Sequence, residues 1–142
     1  IDDGAPTLGS EEALVRAYLD LMQMRMPDRL QYSLSIDPQL RAQRLPSMLL
    51  LTLVENAVRH GIDQSEVGGH IEVGARLHAA TGLVRLWVSD TGVGIDESRG
   101  AGTGLANLRA RLAATYGDRA HLLLSAVSPH GVRAEVELPA QT

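Results

Sequence analysis

The sequence predicts an α+β fold, a two-layer sandwich with three helices packed on one face of a mixed, largely antiparallel sheet. Segments of helical periodicity alternate with segments of strand character in the order helix, strand, helix, two strands, helix, two strands. Both strand pairs are joined by short turns. A doubly wound parallel sheet is excluded because it would need a helix between most of its strands.

The first helix is predicted from Ser10 to about Met26, after a linker over residues 1–9. Ser10 is a good N-cap residue, and the two acids that follow it suit the first turn of a helix. Pro27 then ends the helix. The predicted apolar face recurs at helical spacing and consists of Leu14, Tyr18, Leu21 and Met22.

The remaining elements follow from periodicity and turn residues. Residues 29–37 alternate apolar and polar side chains, which predicts a strand with one solvated face. A second helix is predicted over 46–60, because Pro46 suits a first turn and Gly61 a helix end. The other predicted elements are strands at 70–77 and 83–90 around an Ala79–Gly82 turn, a helix at 105–117, and strands at 121–127 and 132–138 around a Ser128–Gly131 turn.

The composition of the 142-residue chain suits one domain, over residues 10–142, and excludes several kinds of site. All 13 cationic residues are Arg, so a P-loop lysine and a Schiff-base lysine are excluded. The absence of Cys excludes disulfides and thiolate chemistry, and the five scattered histidines form no zinc pattern. The net charge of −4 argues against a nucleic-acid partner.

Four polar residues interrupt the apolar stripe of the second helix: Glu55, Asn56, Arg59 and His60. Their spacing places them on one face. Asn in a helix interior costs about half a kcal/mol relative to Ala, so its presence favours a specific contact. An amide oxygen beside a carboxylate can hold Mg²⁺. Glu55 and Arg59 also fit an ordinary ion pair, and we interpret Arg59 and His60 as structural support.

Two glycine-containing motifs follow. Asp90 ends an apolar strand and precedes Gly92 and Gly94. A buried Asp could accept a hydrogen bond from the adenine amine while the glycines admit a flat ring, although the motif alone fits an ordinary turn. Residues 100–104, GAGTG, open the third helix, where backbone amides suit a polyphosphate. Asn107 occupies the third glycine position of a dinucleotide fingerprint, which disfavours that alternative.

In this order, the Asn-bearing helix, the Asp-x-Gly-x-Gly strand end and the Gly-x-Gly helix start resemble the GHKL ATPase superfamily. Within it the chain looks most like the ATP-binding domain of LytS-type sensor histidine kinases. LPSMLLLTLVENAVRHGI resembles the N box of that group, VSDTGVGI its G1 box and GTGLANLRARLAATYG its G2 box. YLDLMQMRMPDRLQYSLSID and HGVRAEVELP resemble its first helix–strand unit and last strand. The resemblance covers nearly the whole chain and implies a Bergerat-type ATP-binding fold.

The resemblance also implies a role for each matched residue. Asn56 would coordinate the Mg²⁺ that bridges the ATP phosphates, and Glu55 would polarise the nucleophile or organise the metal shell. Asp90 would bind the adenine amine, and residues 95–101 would form a short lid. The other implied nucleotide-site residues are Gly92, Gly94, Ile95, Gly102, Thr103, Gly104 and Leu105.

The match has limits. Asn107 and Arg111 fit the group's pattern without an implied contact. Residues 51–53 replace its frequent Gln-Pro, Val132 replaces a frequent Thr, and no F box is present. These departures bear on the lid more than on nucleotide binding.

The implied activity is transfer of the γ-phosphoryl group of Mg·ATP to a histidine on a helical phosphoacceptor domain absent from this chain. No histidine here lies in such a motif. A response regulator would then receive the phosphoryl group, and the full-length kinase would be a homodimer. The resemblance implies a cytoplasmic domain and leaves membrane anchoring open. An ATP-hydrolysing switch of the gyrase kind and a nucleotide-sensing module without phosphotransfer remain as alternatives.

Overall fold

The computed structural model describes residues 5–62, 65–92 and 103–140. Helices cover one face of a five-stranded sheet, so the predicted α+β sandwich is confirmed. The helices and strands in chain order are α1 (Leu8–Arg25), β1 (Leu30–Ile36), α2 (Leu49–Ala57), β2 (Gly69–His78), β3 (Leu83–Asp90), α3 (Thr103–Tyr116), β4 (His121–Ala126) and β5 (Val132–Pro139). In the described parts of the chain, no helix is long and apolar enough to cross a membrane.

The sheet has the strand order β1-β2-β3-β5-β4. β1 is parallel to β2 and the other three pairings are antiparallel, so the predicted mixed, largely antiparallel sheet is confirmed. Asp90, the last residue of the central strand β3, pairs with Ile71 of β2 and Val132 of β5. The end of β3 therefore has a neighbouring strand on each side.

Strand alternation decides which side chains reach the helices. Val84, Leu86 and Val88 of β3 are buried in the core. Asp90 continues this series of alternate residues, and its side chain is also buried. The period of two therefore directs the Asp90 carboxylate to the helix-covered face.

The start of α1 differs from the prediction. The helix begins at Leu8 with Thr7 as its N-cap, and Ser10 is the N3 residue of a capping box. Ser10 N–H donates to Thr7 Oγ1 at 3.2 Å, and Thr7 N–H donates to Ser10 Oγ at 2.9 Å. The prediction of Ser10 as N-cap is wrong because this reciprocal pair satisfies the helix start three residues earlier. Leu8 and Gly9, predicted as linker, lie in α1.

The apolar face predicted for α1 is also wrong in part. Leu14 is 43% exposed and Leu21 is 54% exposed. Met22 is buried as predicted, and the other side chains of α1 that pack into the core are Leu8, Val15 and Leu19. Two apolar stripes fit the helical period, and contacts with the rest of the fold decide which one is buried.

The second predicted helix, over 46–60, is shifted. α2 begins at Leu49, because Met48 has a left-handed backbone (φ 65°) that interrupts helical geometry. After Ala57 the chain continues as a π-helical turn over Val58–Ile62, so Gly61 lies inside a turn of helix and not beyond its end. Such π turns are frequent at functional sites. The predicted third helix and both hairpins are confirmed to within two residues.

The other face of the sheet carries polar side chains around Trp87. The indole Nε1–H donates to Glu72 Oε1 at 3.0 Å, and Arg133 stacks 4.8 Å from the ring centroid. Arg85 pairs with Glu135 at 2.8 Å and with Glu137 at 2.7 Å. These cross-strand pairs lie on the solvated outer face of the sheet.

Candidate functional site

The site is built around Asp90 at the end of β3. Its carboxylate side chain is buried, and the residue is only 1% exposed. Oδ1 accepts a hydrogen bond from the Gly92 N–H at 2.9 Å, which orients the carboxylate locally. Burial of a carboxylate is unfavourable unless hydrogen-bond donors meet it. A carboxyl group in this position therefore indicates a binding role more than a solvent-facing turn.

Two glycines allow the π turn after α2 to approach this carboxylate. A Cβ atom at Gly61 would lie 2.6 Å from Asp90 Oδ1, and one at Gly92 would lie 2.4 Å from the Gly61 carbonyl carbon. Real Cβ atoms do not occupy such space, so both positions require glycine for the observed approach. Sequence reasoning assigned Gly92 to the site but treated Gly61 only as a helix end. Its position directly after the polar face of the helix was the available signal.

Backbone contacts fix the residues that follow Asp90. His70 N–H donates to Thr91 Oγ1 at 2.9 Å, and Thr91 N–H donates to the His70 carbonyl at 3.1 Å. His130 Nδ1–H donates to the Gly92 carbonyl at 2.8 Å. His130 was predicted only as a surface or turn residue, and no sequence signal placed it beside Gly92.

The polar residues of α2 and its π turn are divided by burial. Asn56 is 6% exposed, whereas Glu55 and Arg59 are exposed and His60 is half-buried. The buried amide and the exposed carboxylate therefore face different surroundings, although they are adjacent in sequence. Both supply the hard oxygen donors that Mg²⁺ prefers. The described residues contain no cluster of three or more His, Cys, Asp or Glu suited to a metal.

The start of α2 is held by two other helices. The Glu11 carboxylate of α1 accepts from Met48 N–H at 3.2 Å and from Leu50 N–H at 2.9 Å. Arg111 of α3 donates through Nη2 to the Ser47 carbonyl. Arg111, which matched the sequence pattern without an assigned contact, thus supports the helix that carries Asn56. Sequence reasoning treated Glu11 only as a first-turn acid.

The third helix begins at Thr103, close to the predicted position. Leu105, Leu108 and Leu112 are buried at 2% exposure or less, so this face of the helix packs into the core. Gly94, Ile95, Gly102 and the predicted lid over residues 95–101 lie outside the described residues. The side chain of Thr103 lies outside them as well.

Comparison with known proteins agrees with this arrangement. Residues 42–142 match the family described as histidine kinase-, DNA gyrase B- and HSP90-like ATPase. The sensor histidine kinase/phosphatase LytS of Staphylococcus aureus (strain Mu50) is 33% identical over 135 residues, which cover 86% of this chain and 23% of that protein. The chain thus spans about a quarter of the length of the curated relatives that it matches.

Solved structures share the fold. The catalytic domain of the histidine kinase ThkA superposes with a TM-score of 0.70 at 16% identity, over 94% of each chain. Full-length ShkA in complex with AMPPNP gives a TM-score of 0.68 at 22% identity, covering 100% of this chain and 32% of ShkA. With the match over residues 42–142, these similarities show that the chain belongs to the histidine kinase-, DNA gyrase B- and HSP90-like ATPase family.

Proposed function

We propose that residues 10–142 form the catalytic, ATP-binding domain of a sensor histidine kinase. In this role the chain binds Mg·ATP and presents the γ-phosphoryl group to a histidine on a helical phosphoacceptor domain. The observation that carries the proposal is the buried Asp90 carboxylate, which lies at the end of the central strand where Gly61 and Gly92 leave no room for side chains. Since α1 begins at Leu8, the proposed domain also includes Leu8 and Gly9 from the segment expected as a linker over residues 1–9.

The adenine assignment follows from the chemistry of Asp90. The two oxygens of a carboxylate can each accept more than one hydrogen bond, so Asp90 is suited to accept from a ligand as well as from Gly92 N–H. An exocyclic amine is a suitable donor, and the glycine-lined approach suits a flat ring. AMPPNP in the ShkA structure is a ligand of the same class. The proposal adds Gly94 and Ile95 to this pocket and Gly102, Thr103, Gly104 and Leu105 to the phosphate end.

Asn56 and Glu55 have different proposed roles. The buried Asn56 amide suits a ligand that must be held in one place, and we assign it to Mg²⁺. When bound, Mg²⁺ neutralises charge on the phosphates. Glu55 is exposed beside it and is accessible to a nucleophile from another domain. We therefore assign Glu55 to polarising the incoming histidine.

The partners belong to the same proposal. The relative LytS is named a sensor histidine kinase/phosphatase. By this similarity the domain acts in the cytoplasm, within a homodimeric kinase that passes its phosphoryl group to a response regulator. The proposal includes no nucleic-acid partner.

The test uses a longer protein that contains this chain and its helical domain. After incubation with γ-labelled ATP we expect acid-labile, base-stable label on the protein, which is the signature of phosphohistidine. The Asn56→Ala variant is the control and should carry little label. Steady phosphate release without protein label would contradict the kinase and favour an ATP-hydrolysing switch. ATP binding without protein label and without steady phosphate release would favour a nucleotide-sensing module.

A further inference from the structure

The N-terminus of α2 lacks a cap from its own neighbouring residues. Met48 occupies the N-cap position in a left-handed conformation and makes no side-chain capping bond. The first N–H groups of a helix have no intrahelical acceptor and must find one elsewhere. Leu49 N–H donates to the Pro46 carbonyl at 3.2 Å, but the acceptor for the next N–H group, that of Leu50, comes from another part of the chain.

Glu11 of α1 supplies that acceptor. Its side chain is 2% exposed, and its two oxygens receive the Met48 and Leu50 N–H groups at 3.2 and 2.9 Å. Burial raises the pKa of Glu11, while the hydrogen bonds from Leu50, Met48 and Leu51 and the charge of Arg111 act in the opposite direction. Because the backbone N–H groups that donate to Glu11 all belong to the start of α2, Glu11 caps this helix from a remote position in the sequence.

The surrounding backbone joins the same two regions. Leu8 N–H donates to the Gln43 carbonyl at 2.8 Å, and Gly9 N–H donates to the Arg41 carbonyl at 2.9 Å. Arg111 of α3 donates to the Ser47 carbonyl, just before the start of α2. α1, α3 and the chain leading into α2 therefore converge at the start of α2.

We propose that Glu11 is a positioning residue for the nucleotide site, because it fixes the start of α2 against α1, next to the contact that Arg111 of α3 makes with Ser47. This inference rests on the proposed function, in which α2 carries the Mg²⁺ ligand Asn56 and α3 begins at the phosphates. Asn56 lies about two turns after the capped N-terminus on the same rigid helix, roughly 10 Å away. A shift of the helix start would therefore displace the amide.

The adenine contact should be much less sensitive to Glu11. Asp90 lies on β3, far from the capped start of α2 in sequence, and its carboxylate accepts from the N–H of Gly92, two residues further along the same segment. Loss of the cap should therefore weaken the Mg²⁺-dependent part of nucleotide affinity and spare the metal-free part. A general loss of folding would weaken both parts together.

The experiment compares Glu11→Gln and Glu11→Ala with Glu12→Gln in the 142-residue chain. Glu12 is the matched control because it is adjacent and buried, but its partners are Arg16 and Arg41 at 3.3 Å, neither of which lies on α2. Affinity for a fluorescent ATP analogue is measured with saturating Mg²⁺ and with chelator. Far-UV circular dichroism at the assay temperature checks folding.

For Glu11→Ala we expect the gain in analogue affinity that Mg²⁺ provides to fall by about three- to tenfold. Glu11→Gln, which keeps one acceptor oxygen, should lose less, and Glu12→Gln should match the parent. The affinity for the ATP analogue in chelator should change by less than about twofold in all three variants. Such a change is well below the effect of a lost cap. If Glu11→Ala does not fold, the milder Glu11→Gln decides the result.

An unchanged Mg²⁺-dependent gain in folded Glu11 variants would overturn the positioning role. Equal losses with and without Mg²⁺ would overturn it as well, since they would show a purely structural effect. If the parent itself shows no Mg²⁺-dependent gain, the proposed metal function is wrong and this inference fails with it.

Discussion

Gly61 lies directly against the carboxylate of Asp90: a Cβ atom at Gly61 would be 2.6 Å from Asp90 Oδ1. This approach brings the π turn after α2 onto the end of β3. The helix that carries Asn56 and the strand that carries Asp90 are thereby held in one site, although they are well separated in sequence.

Gly61→Ala should weaken binding of a fluorescent ATP analogue by at least about tenfold, because the added methyl group must displace the Asp90 carboxylate. Fluorescence titration measures the affinity. Gly82→Ala is the control, since that glycine lies in the turn between β2 and β3, where an added Cβ atom would meet nothing within 4 Å. A folded Gly61→Ala chain with parental affinity would show that this close approach is not needed for binding.

Asp90→Asn should reduce analogue binding strongly both with and without Mg²⁺. Asn keeps the shape and one acceptor oxygen, so the Gly92 contact can persist, but its amide group presents donors to the adenine amine. Isothermal titration calorimetry in Mg²⁺ and in chelator gives both affinities. The exposed Asp118→Asn serves as the control. Undiminished binding by Asp90→Asn would contradict the adenine assignment.

Asn56→Ala should remove mainly the Mg²⁺-dependent part of the affinity. The substitution deletes the one buried amide oxygen of α2, while the adenine contact at Asp90 remains. Glu55→Gln is the informative comparison: affinity should stay near the parental value because Glu55 is exposed, whereas phosphoryl transfer in the longer protein should fall. Identical Mg²⁺ titrations for Asn56→Ala and the parent would exclude the metal role.

Gly74→Ala should destabilise the fold without altering the nucleotide site. A Cβ atom there would lie 2.0 Å from Trp87 Cζ2, and the indole is held by Glu72 and Arg133. Crowding of this kind costs about 1–3 kcal/mol in the free energy of unfolding. Urea denaturation followed by the fluorescence of Trp87, the only tryptophan, measures it. Parental stability would mean that the ring moves aside freely.

The pH dependence of stability should report the buried Glu11. Burial raises its folded-state pKa above the ordinary value of 4.5, so the folded chain binds the proton more tightly than the unfolded chain. The favourable contribution is therefore complete below 4.5 and is lost as the pH rises through the folded-state pKa. The stability of the parent relative to Glu11→Gln should increase as the pH falls from neutral towards 4.5. Denaturation curves across this range test it, and a flat or opposite trend would contradict the prediction.

Local signals predicted most of the fold. Alternation over residues 29–37 correctly predicted the strand β1, because a period of two separates the faces of a strand. The face of α1 was predicted less well. Leu14 and Leu21 fit a helical stripe as well as Val15 and Leu19 do, and periodicity cannot choose between two apolar stripes on one helix.

The candidate site also has one part that the sequence predicted and another that depends on the tertiary structure. By itself, the sequence determined the residue types and their order: an Asn on a helix, an Asp at a strand end and glycines after it. These follow from local chemistry, since each motif needs only its own neighbours to be recognised. Only the tertiary structure decided that Asn56 is buried while Glu55 is exposed, that Gly61 meets Asp90, and that Glu11 caps α2. Such contacts join residues far apart in sequence, and they depend on how helices pack on the sheet, which no local pattern specifies.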